Sequence, residues 1–145
     1  MACQLLEEPY LLPGGGATQI ALARHLRRFA ERFAGREQLA IEAFADALEI
    51  IPRTLAQNAG LDPLDSLLQT VAKQTTNDGP NPHHIGLNIE QKTPSNMVED
   101  GVVEPLRITR QVLAGATEAA LSVLRIDDVL WAKQDPTAPE LSEED

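Results

Sequence analysis

Residues 13–34 read PGGGATQIALARHLRRFAERFA, a triple glycine that leads directly into an amphipathic segment. Apolar side chains recur there every three or four residues, and this period predicts a helix from Thr18 to Ala34. The apolar face of that helix consists of Leu22, Leu26, Phe29 and Phe33. Glycine adopts positive φ without steric cost and lets the backbone approach a ligand, and the start of a helix favours a phosphate. A glycine-rich turn without any ligand is the alternative interpretation.

The same period predicts three further helices. Gly35 is expected to end the first helix, and the second begins near Arg36. Pro52 lies inside the second and should cause a kink or short break, because proline cannot donate the helical hydrogen bond. The third begins at Asp62-Pro63, an N-cap followed by a proline, and the last begins at Pro105. The expected buried faces are Ile41, Phe44, Leu48, Ile51 and Leu55 in the second helix and Leu64, Leu67, Leu68 and Val71 in the third.

The chain between the third and last helices has little helical character. Residues 74–82 are rich in turn formers and predict a loop, and residues 85–89 form a short strand candidate. Residues 92–98 are expected to be irregular and residues 99–101 to form a turn. The predicted fold class is therefore mainly all-α, with a short β element near residues 85–89 and an extended segment near residues 125–131.

Composition restricts the function further. The 145 residues carry 12 basic and 22 acidic side chains, a net charge of −10, which argues against nucleic-acid binding and favours a protein adapted to high salt. Cys3 is the only cysteine, so an intramolecular disulfide is impossible. We find no secretory signal and no apolar run of about 20 residues, so we expect a cytoplasmic protein without a membrane partner.

Two long runs carry a family resemblance: PGGGATQIALARHLRRFAERFAGREQLAIEAFADALEIIPRTLAQNAGLDPLDSLL at residues 13–68 and MVEDGVVEPLRITRQVLAGATEAALSVLRIDDVL at residues 97–130. Both closely resemble group II chaperonins of the thermosome type. The resemblance implies that residues 13–133 are the C-terminal part of the helical, ATP-binding equatorial domain. Residues 1–12 would be the remnant of the connection from the intermediate domain, and residues 134–145 an acidic, disordered tail.

The resemblance also implies a set of nucleotide-binding residues for ATP or ADP with Mg²⁺. Gly15 matches a glycine near the nucleotide, Gly86, Leu87 and Asn88 match a segment beside the base, and Glu104 matches an acid that accepts hydrogen bonds from the ribose. A first-turn helix acid is the alternative interpretation of Glu104. No catalytic residue and no metal ligand is assigned: the adjacent histidines at 83–84 lack a third ligand at sensible spacing.

The family function implied is ATP-dependent folding of unfolded protein in a double ring built with other chaperonin subunits, alike or different. The resemblance identifies a truncated subunit, since the apical, intermediate and phosphate-loop segments have no counterpart here. We therefore expect no ATPase activity from this chain by itself and contact with unfolded protein only through the missing domains. Two alternatives stay open: a non-enzymatic protein that associates with full-length subunits, and a gene remnant or split-gene product. The long apolar stripes of residues 18–58 also predict self-association, partial folding or dependence on a partner.

Overall fold

The computed structural model of the protein describes residues 8–76 and 81–127. Its elements in chain order are β1 (Leu11–Pro13), α1 (Ala17–Ala30), α2 (Arg36–Asn58), α3 (Pro63–Thr76), a 3-10 turn (Pro82–His84), β2 (Ile85–Asn88), β3 (Thr93–Asn96), β4 (Val103–Pro105) and α4 (Leu106–Leu124). The chain divides into two compact units, residues 1–110 and 111–145, with the boundary inside α4. The mainly helical class and the β element near residues 85–89 are confirmed.

Two small antiparallel ladders join the helices of the first unit. Strand β1 pairs with β4, where Leu12 lies opposite Glu104, and β2 pairs with β3, where Leu87 lies opposite Pro94. The segment expected to be irregular, residues 92–98, therefore contains a strand. Its residues Thr93–Asn96, TPSN, have little intrinsic preference for β structure, so β3 is specified by the partner strand rather than by its own sequence.

The boundaries of α1 differ from the prediction. The helix starts directly after Gly16 and ends at Ala30, four residues before the expected Ala34. Gly35 does not end it; this glycine immediately precedes α2, with φ 75° and ψ −134°, a conformation that is essentially restricted to glycine. The chain thus turns over residues 31–35 and returns as α2, which packs against α1.

The helix α2 is continuous from Arg36 to Asn58, so the break expected at Pro52 does not occur. Pro52 is buried, and its Cβ lies 2.7 Å from the position that a side chain on Gly16 would occupy. The proline ring therefore packs directly against the triple-glycine turn. This contact gives Pro52 a tertiary role that offsets part of the cost of the helical hydrogen bond it cannot make.

The core only partly coincides with the apolar stripes that the sequence predicts to be buried: Leu48 and Leu67 belong to those stripes and are buried, whereas most of the core consists of other residues. It is built from small or medium side chains: Ala17, Ile20, Ala23 and Ala30 of α1, Ala45, Leu48 and Ala56 of α2, Leu67 of α3, and Ile85, Leu87 and Met97 of the β region. Of the stripe predicted to be buried, Phe29 is 38% exposed, Phe44 42% and Leu64 56%. Alanine faces allow α1 and α2 to approach closely, and that approach turns the bulkier side chains outward.

A buried carboxylate joins α1 to α2. Glu49 is 3% exposed and accepts hydrogen bonds from Arg27 of α1 and from Arg53, one turn along its own helix, the latter at 3.1 Å. Arg27 also donates to Asp46 at 2.7 Å, and the bond to Glu49 raises the pKa of the Arg27 guanidinium. Two guanidinium groups therefore satisfy a carboxylate that burial alone would destabilise.

The start of α3 agrees with the sequence. The Asp62 side chain accepts hydrogen bonds from the backbone N–H groups of Leu64 and Asp65 at 2.9 and 2.8 Å, which is an N-cap. The helix extends to Thr76, into the segment expected to be a loop. Of the extended segment predicted near 125–131, residues 128–131 lie outside the described residues, as do residues 1–7 and the tail at 134–145.

Candidate functional site

A cleft of about 380 Å³ opens where the triple-glycine turn meets β2 and the chain that follows β3. Its lining residues are Gly15, Leu55, Leu87, Asn88, Ile89, Glu90, Met97, Asp100 and Val102. Most of these side chains are apolar, and the polar ones cluster in the β2–β3 region. The volume lies at the lower end of the range for small-molecule sites.

The glycine turn and β2 touch through their backbones. The Leu87 N–H donates to the Gly15 carbonyl at 2.9 Å. A Cβ on Gly15, which has φ 60°, would lie 2.5 Å from Met97 Sδ and 2.8 Å from the Leu87 carbonyl oxygen. A Cβ on Gly86 would lie 2.7 Å from both the Gly14 carbonyl oxygen and Met97 Cγ. The two segments can approach this closely only because neither residue carries a side chain.

The polar part of the cleft is organised around Asp100. Its Oδ2 accepts hydrogen bonds from Asn88 Nδ2, at 2.8 Å, and from Ser95 Oγ. These two donors, Ser95 first, lower the pKa of the Asp100 carboxyl group. The Asn88 Oδ1 in turn accepts from the backbone N–H groups of Glu90 and Gln91, each at 3.0 Å. The Asn88 side chain thus holds the turn between β2 and β3 and shapes the cleft from its edge.

Glu104 occupies a different position from the other site candidates. It lies on β4, is half-buried, and accepts a hydrogen bond from Thr109 Oγ1 at 3.0 Å. It does not line the cleft, although Val102, two residues earlier, does. The Val102 carbonyl accepts from the Gly14 N–H at 2.9 Å, which connects the residue just before β4 to the glycine turn. The structure therefore brings Gly15, Leu87 and Asn88 into one cleft, packs Gly86 against the glycine turn, and leaves Glu104 outside the cleft lining.

Several cleft residues carry no signal in the sequence. Leu55 is one of many apolar residues on α2, and Met97 and Val102 fall in segments without periodicity. Asp100 lies in a turn, where an acidic residue is common and does not by itself indicate a site. These residues converge only because β2 pairs with β3 and because the chain then turns back toward residue 102.

No three histidine, cysteine, aspartate or glutamate side chains lie close enough to hold a metal within residues 8–76 and 81–127. His83 and His84 are in the 3-10 turn before β2. No helix in this described part of the chain combines the length and hydropathy needed to cross a bilayer.

A family model described as the TCP-1/cpn60 chaperonin family matches residues 1–134. The chain belongs to this family, and within it the similarity is to the group II, thermosome-type members. A thermosome subunit of Methanopyrus kandleri is 54% identical over 129 residues, and that of Methanocaldococcus jannaschii is 52% identical over the same length. Thermosome subunit 1 of Haloferax volcanii is 53% identical over 127 residues.

These matches cover most of this chain and a small share of each relative. The aligned region is 89% of this chain and 23% of the Methanopyrus and Methanocaldococcus subunits, and 88% and 22% for Haloferax. The open-state monomer of a group II chaperonin from Methanococcoides burtonii superposes with a TM-score of 0.74 and 40% identity, covering 80% of this chain and 28% of that one. The chain thus spans less than a quarter of the length of the curated relatives it matches.

Proposed function

We propose that this chain forms part of the nucleotide-binding and ring-contact domain of a thermosome-type chaperonin subunit. The observation that carries the proposal is the cleft itself. Gly15, Leu87 and Asn88, assigned to the nucleotide by family resemblance, lie around one opening in the structure. In this proposal, residues 13–133 are the C-terminal part of the equatorial domain, and the whole subunit folds client proteins in an ATP-dependent double ring.

The cleft suits the base of an adenine nucleotide. A flat ring needs apolar walls on its faces, and Leu87, Ile89 and Val102 supply apolar side chains around the opening. The polar side chains of the lining are Asn88, Glu90 and Asp100, of which Asn88 and Asp100 are hydrogen-bonded to each other. Such a division, with many apolar contacts and few polar ones, orients a ligand without a large desolvation cost.

Glu104 is proposed to receive the ribose. A carboxylate only accepts hydrogen bonds, so it matches two hydroxyl donors. The Thr109 hydroxyl holds one oxygen of Glu104 and fixes the direction of the group. Mg²⁺, the triphosphate and the group that positions water are assigned to the assembled chaperonin subunit. We therefore expect weak nucleotide binding and no turnover by these 145 residues alone.

The first experiment is thermal melting of the full chain by circular dichroism in high salt, with and without Mg·ATP. Titration with a fluorescent ADP analogue then gives an affinity. Val102→Trp places a large side chain in the cleft, and Val98→Trp is a matched control because Val98 is similarly exposed, 43% against 45%, and lies outside the cleft lining. We expect Val102→Trp to abolish the nucleotide-dependent rise in Tm and Val98→Trp to preserve it. Equal binding by both variants would show that the cleft is not the site.

The ribose assignment is tested separately. Glu104→Gln retains an oxygen that can accept from Thr109 but loses the charge. We expect this variant to weaken ADP binding and to remove the preference for ADP over 2′-deoxy-ADP. A variant that still discriminates the two nucleotides as the unmodified chain does would remove Glu104 from the ribose site.

A second candidate function, association with full-length chaperonin subunits without catalysis, is favoured by the exposed apolar residues of the helices. Leu39 and Ile50 of α2 are 65% and 59% exposed, and Leu64 and Leu68 of α3 are 56% and 55% exposed. Exposed apolar side chains that lie together on a surface mark interaction sites, and these four residues are the candidates here. This function is tested by sedimentation of the chain alone and mixed with a thermosome subunit. Co-migration of the two proteins favours association, and a monodisperse monomer that does not bind the subunit contradicts it.

A further inference from the structure

Gln74 connects three elements of the first unit through its side chain. It is the last buried residue on α3 and only 2% exposed. Its Nε2 donates to the carbonyl of Ala17, the first residue of α1, at 3.1 Å, and to the carbonyl of Ile85, the first residue of β2, at 2.7 Å. Its Oε1 accepts from Arg24 Nη1 at 3.3 Å. Both amide hydrogens and the amide oxygen are therefore in use.

The carbonyls of Ala17 and Ile85 lie where the backbone at the start of α1 and the backbone of β2 cannot form a hydrogen bond with each other. The glycine turn lies against β2, where the Leu87 N–H donates to the Gly15 carbonyl at 2.9 Å. Two residues after Gly15 and two residues before Leu87, Ala17 and Ile85 both present carbonyl oxygens, which are acceptors only. A primary amide carries two N–H donors on one nitrogen, so the Gln74 side chain supplies the missing link between them.

The uncharged or acidic side chains closest to glutamine in size and shape cannot do the same. Glutamate at neutral pH has no donor, methionine has none, and asparagine keeps the amide but is one methylene shorter. Thr70, one turn earlier on the same buried face, differs in kind. It is 1% exposed, but its hydroxyl donates only to the Ser66 carbonyl of its own helix at 2.8 Å. Thr70 is therefore a control that matches Gln74 in burial and lacks its cross-element contacts.

We propose that Gln74 is a positioning residue for the cleft: it holds the triple-glycine turn against β2 and thereby sets the cleft's affinity for an adenine nucleotide. The affinity part rests on the function proposed above. Gly15 and Leu87 both line the cleft, so a shift of the glycine turn relative to β2 changes the opening directly. Arg24 donates to Oε1 of Gln74 and so fixes the orientation of the amide group. With Oε1 held by Arg24, the Nε2 atom faces the two carbonyls.

The test compares Gln74→Met with Thr70→Val in the full 145-residue chain. Methionine fills the same space and leaves the Ile85 carbonyl buried without the amide donor. Because an unpaired buried acceptor shifts a local equilibrium by roughly tenfold or more, we expect the Leu87 amide to exchange about tenfold faster in Gln74→Met. Exchange at Leu48, in the core of α2, should stay unchanged. Affinity for the fluorescent ADP analogue should fall by about the same factor. Thr70→Val should change the Leu87 exchange rate, the Leu48 exchange rate and the affinity by no more than roughly twofold.

Three results would overturn the proposal: unchanged Leu87 exchange in Gln74→Met, equal acceleration at Leu87 and Leu48, or an equal effect from Thr70→Val. If Gln74→Met does not fold, Gln74→Asn takes its place, since it keeps a polar amide that reaches only one carbonyl. Unaltered exchange in that variant would also overturn the proposal. If the unmodified chain binds no ADP analogue, the proposed function fails, whereas Leu87 exchange still decides whether Gln74 holds the glycine turn.

Discussion

Replacing Gly15 by alanine tests the packing that creates the cleft. The structure predicts two separate costs: the backbone has φ 60°, and the new Cβ would meet Met97 Sδ at 2.5 Å and the Leu87 carbonyl oxygen at 2.8 Å. The methionine can move, since its side chain is flexible. The Leu87 carbonyl is backbone within a paired strand and cannot move without disturbing β2. The glycine turn and β2 must therefore separate.

The magnitude follows from these costs. Positive φ costs an alanine about 1–2 kcal/mol. Overpacking adds about 1–3 kcal/mol, and weakening of the Leu87–Gly15 hydrogen bond adds about 0.5–1.5 kcal/mol. Alanine also lowers the conformational entropy of the unfolded chain, which stabilises the folded state by about 0.4–1 kcal/mol and offsets part of these costs. We expect Gly15→Ala to lower the free energy of unfolding by roughly 1.5–6 kcal/mol in total.

Gly60→Ala is the matched control. Gly60 has φ 72°, but nothing lies within 4 Å of the position of its Cβ. Only the cost of positive φ and the change in unfolded-chain entropy apply, so we expect a loss of at most about 1.5 kcal/mol. Guanidinium unfolding in high salt, followed by circular dichroism, gives both values, and nucleotide affinity should fall only for Gly15→Ala. Equal destabilisation by the two substitutions would refute the claim that the glycine is required by close packing.

Three further predictions concern the helices and the cleft edge. Glu49→Ala should lower the free energy of unfolding by about 1–3 kcal/mol, because two arginines lose a buried acceptor; in the same denaturation assay Asp46→Ala, an exposed member of the network, should cost less than about 1 kcal/mol. Asp62→Ala should cost about 1 kcal/mol through loss of the N-cap, and Asp62→Asn should recover most of it; an equal loss in both would exclude capping. The lowered pKa of Asp100 means that its contribution to stability is present at neutral pH and is lost as the pH falls from the ordinary carboxyl pKa through the lowered one. A carbon-detected NMR titration should show that pKa rising in Ser95→Ala, and an unshifted titration would contradict the hydrogen-bond cause.

Prediction from the sequence succeeded where the signal was local. The N-cap at Asp62, the turn after β3, the strand near residues 85–89 and the existence of four helices in the described region all depend on residues close in the chain. Prediction failed at α1, where the period of the apolar residues located a helix but not its buried face. Phe29 belongs to the strongest stripe and is 38% exposed, whereas Ala23, on another face, is fully buried. A hydrophobic period shows which side of a helix is apolar, and the neighbouring elements decide which side is covered.

The sequence by itself determined the helices, the glycine turn and, through long ordered runs, membership of a chaperonin family. Only the tertiary structure decided that β3 pairs with β2, that Pro52 stays inside a continuous α2, and that Gln74 spans from α3 to the glycine turn and β2. The physical reason is the range of the forces involved. Caps, turns and periods arise from residues a few positions apart, whereas the cleft exists because Gly15, Leu55 and Met97, far apart in the chain, are brought to one opening by the packing of their elements.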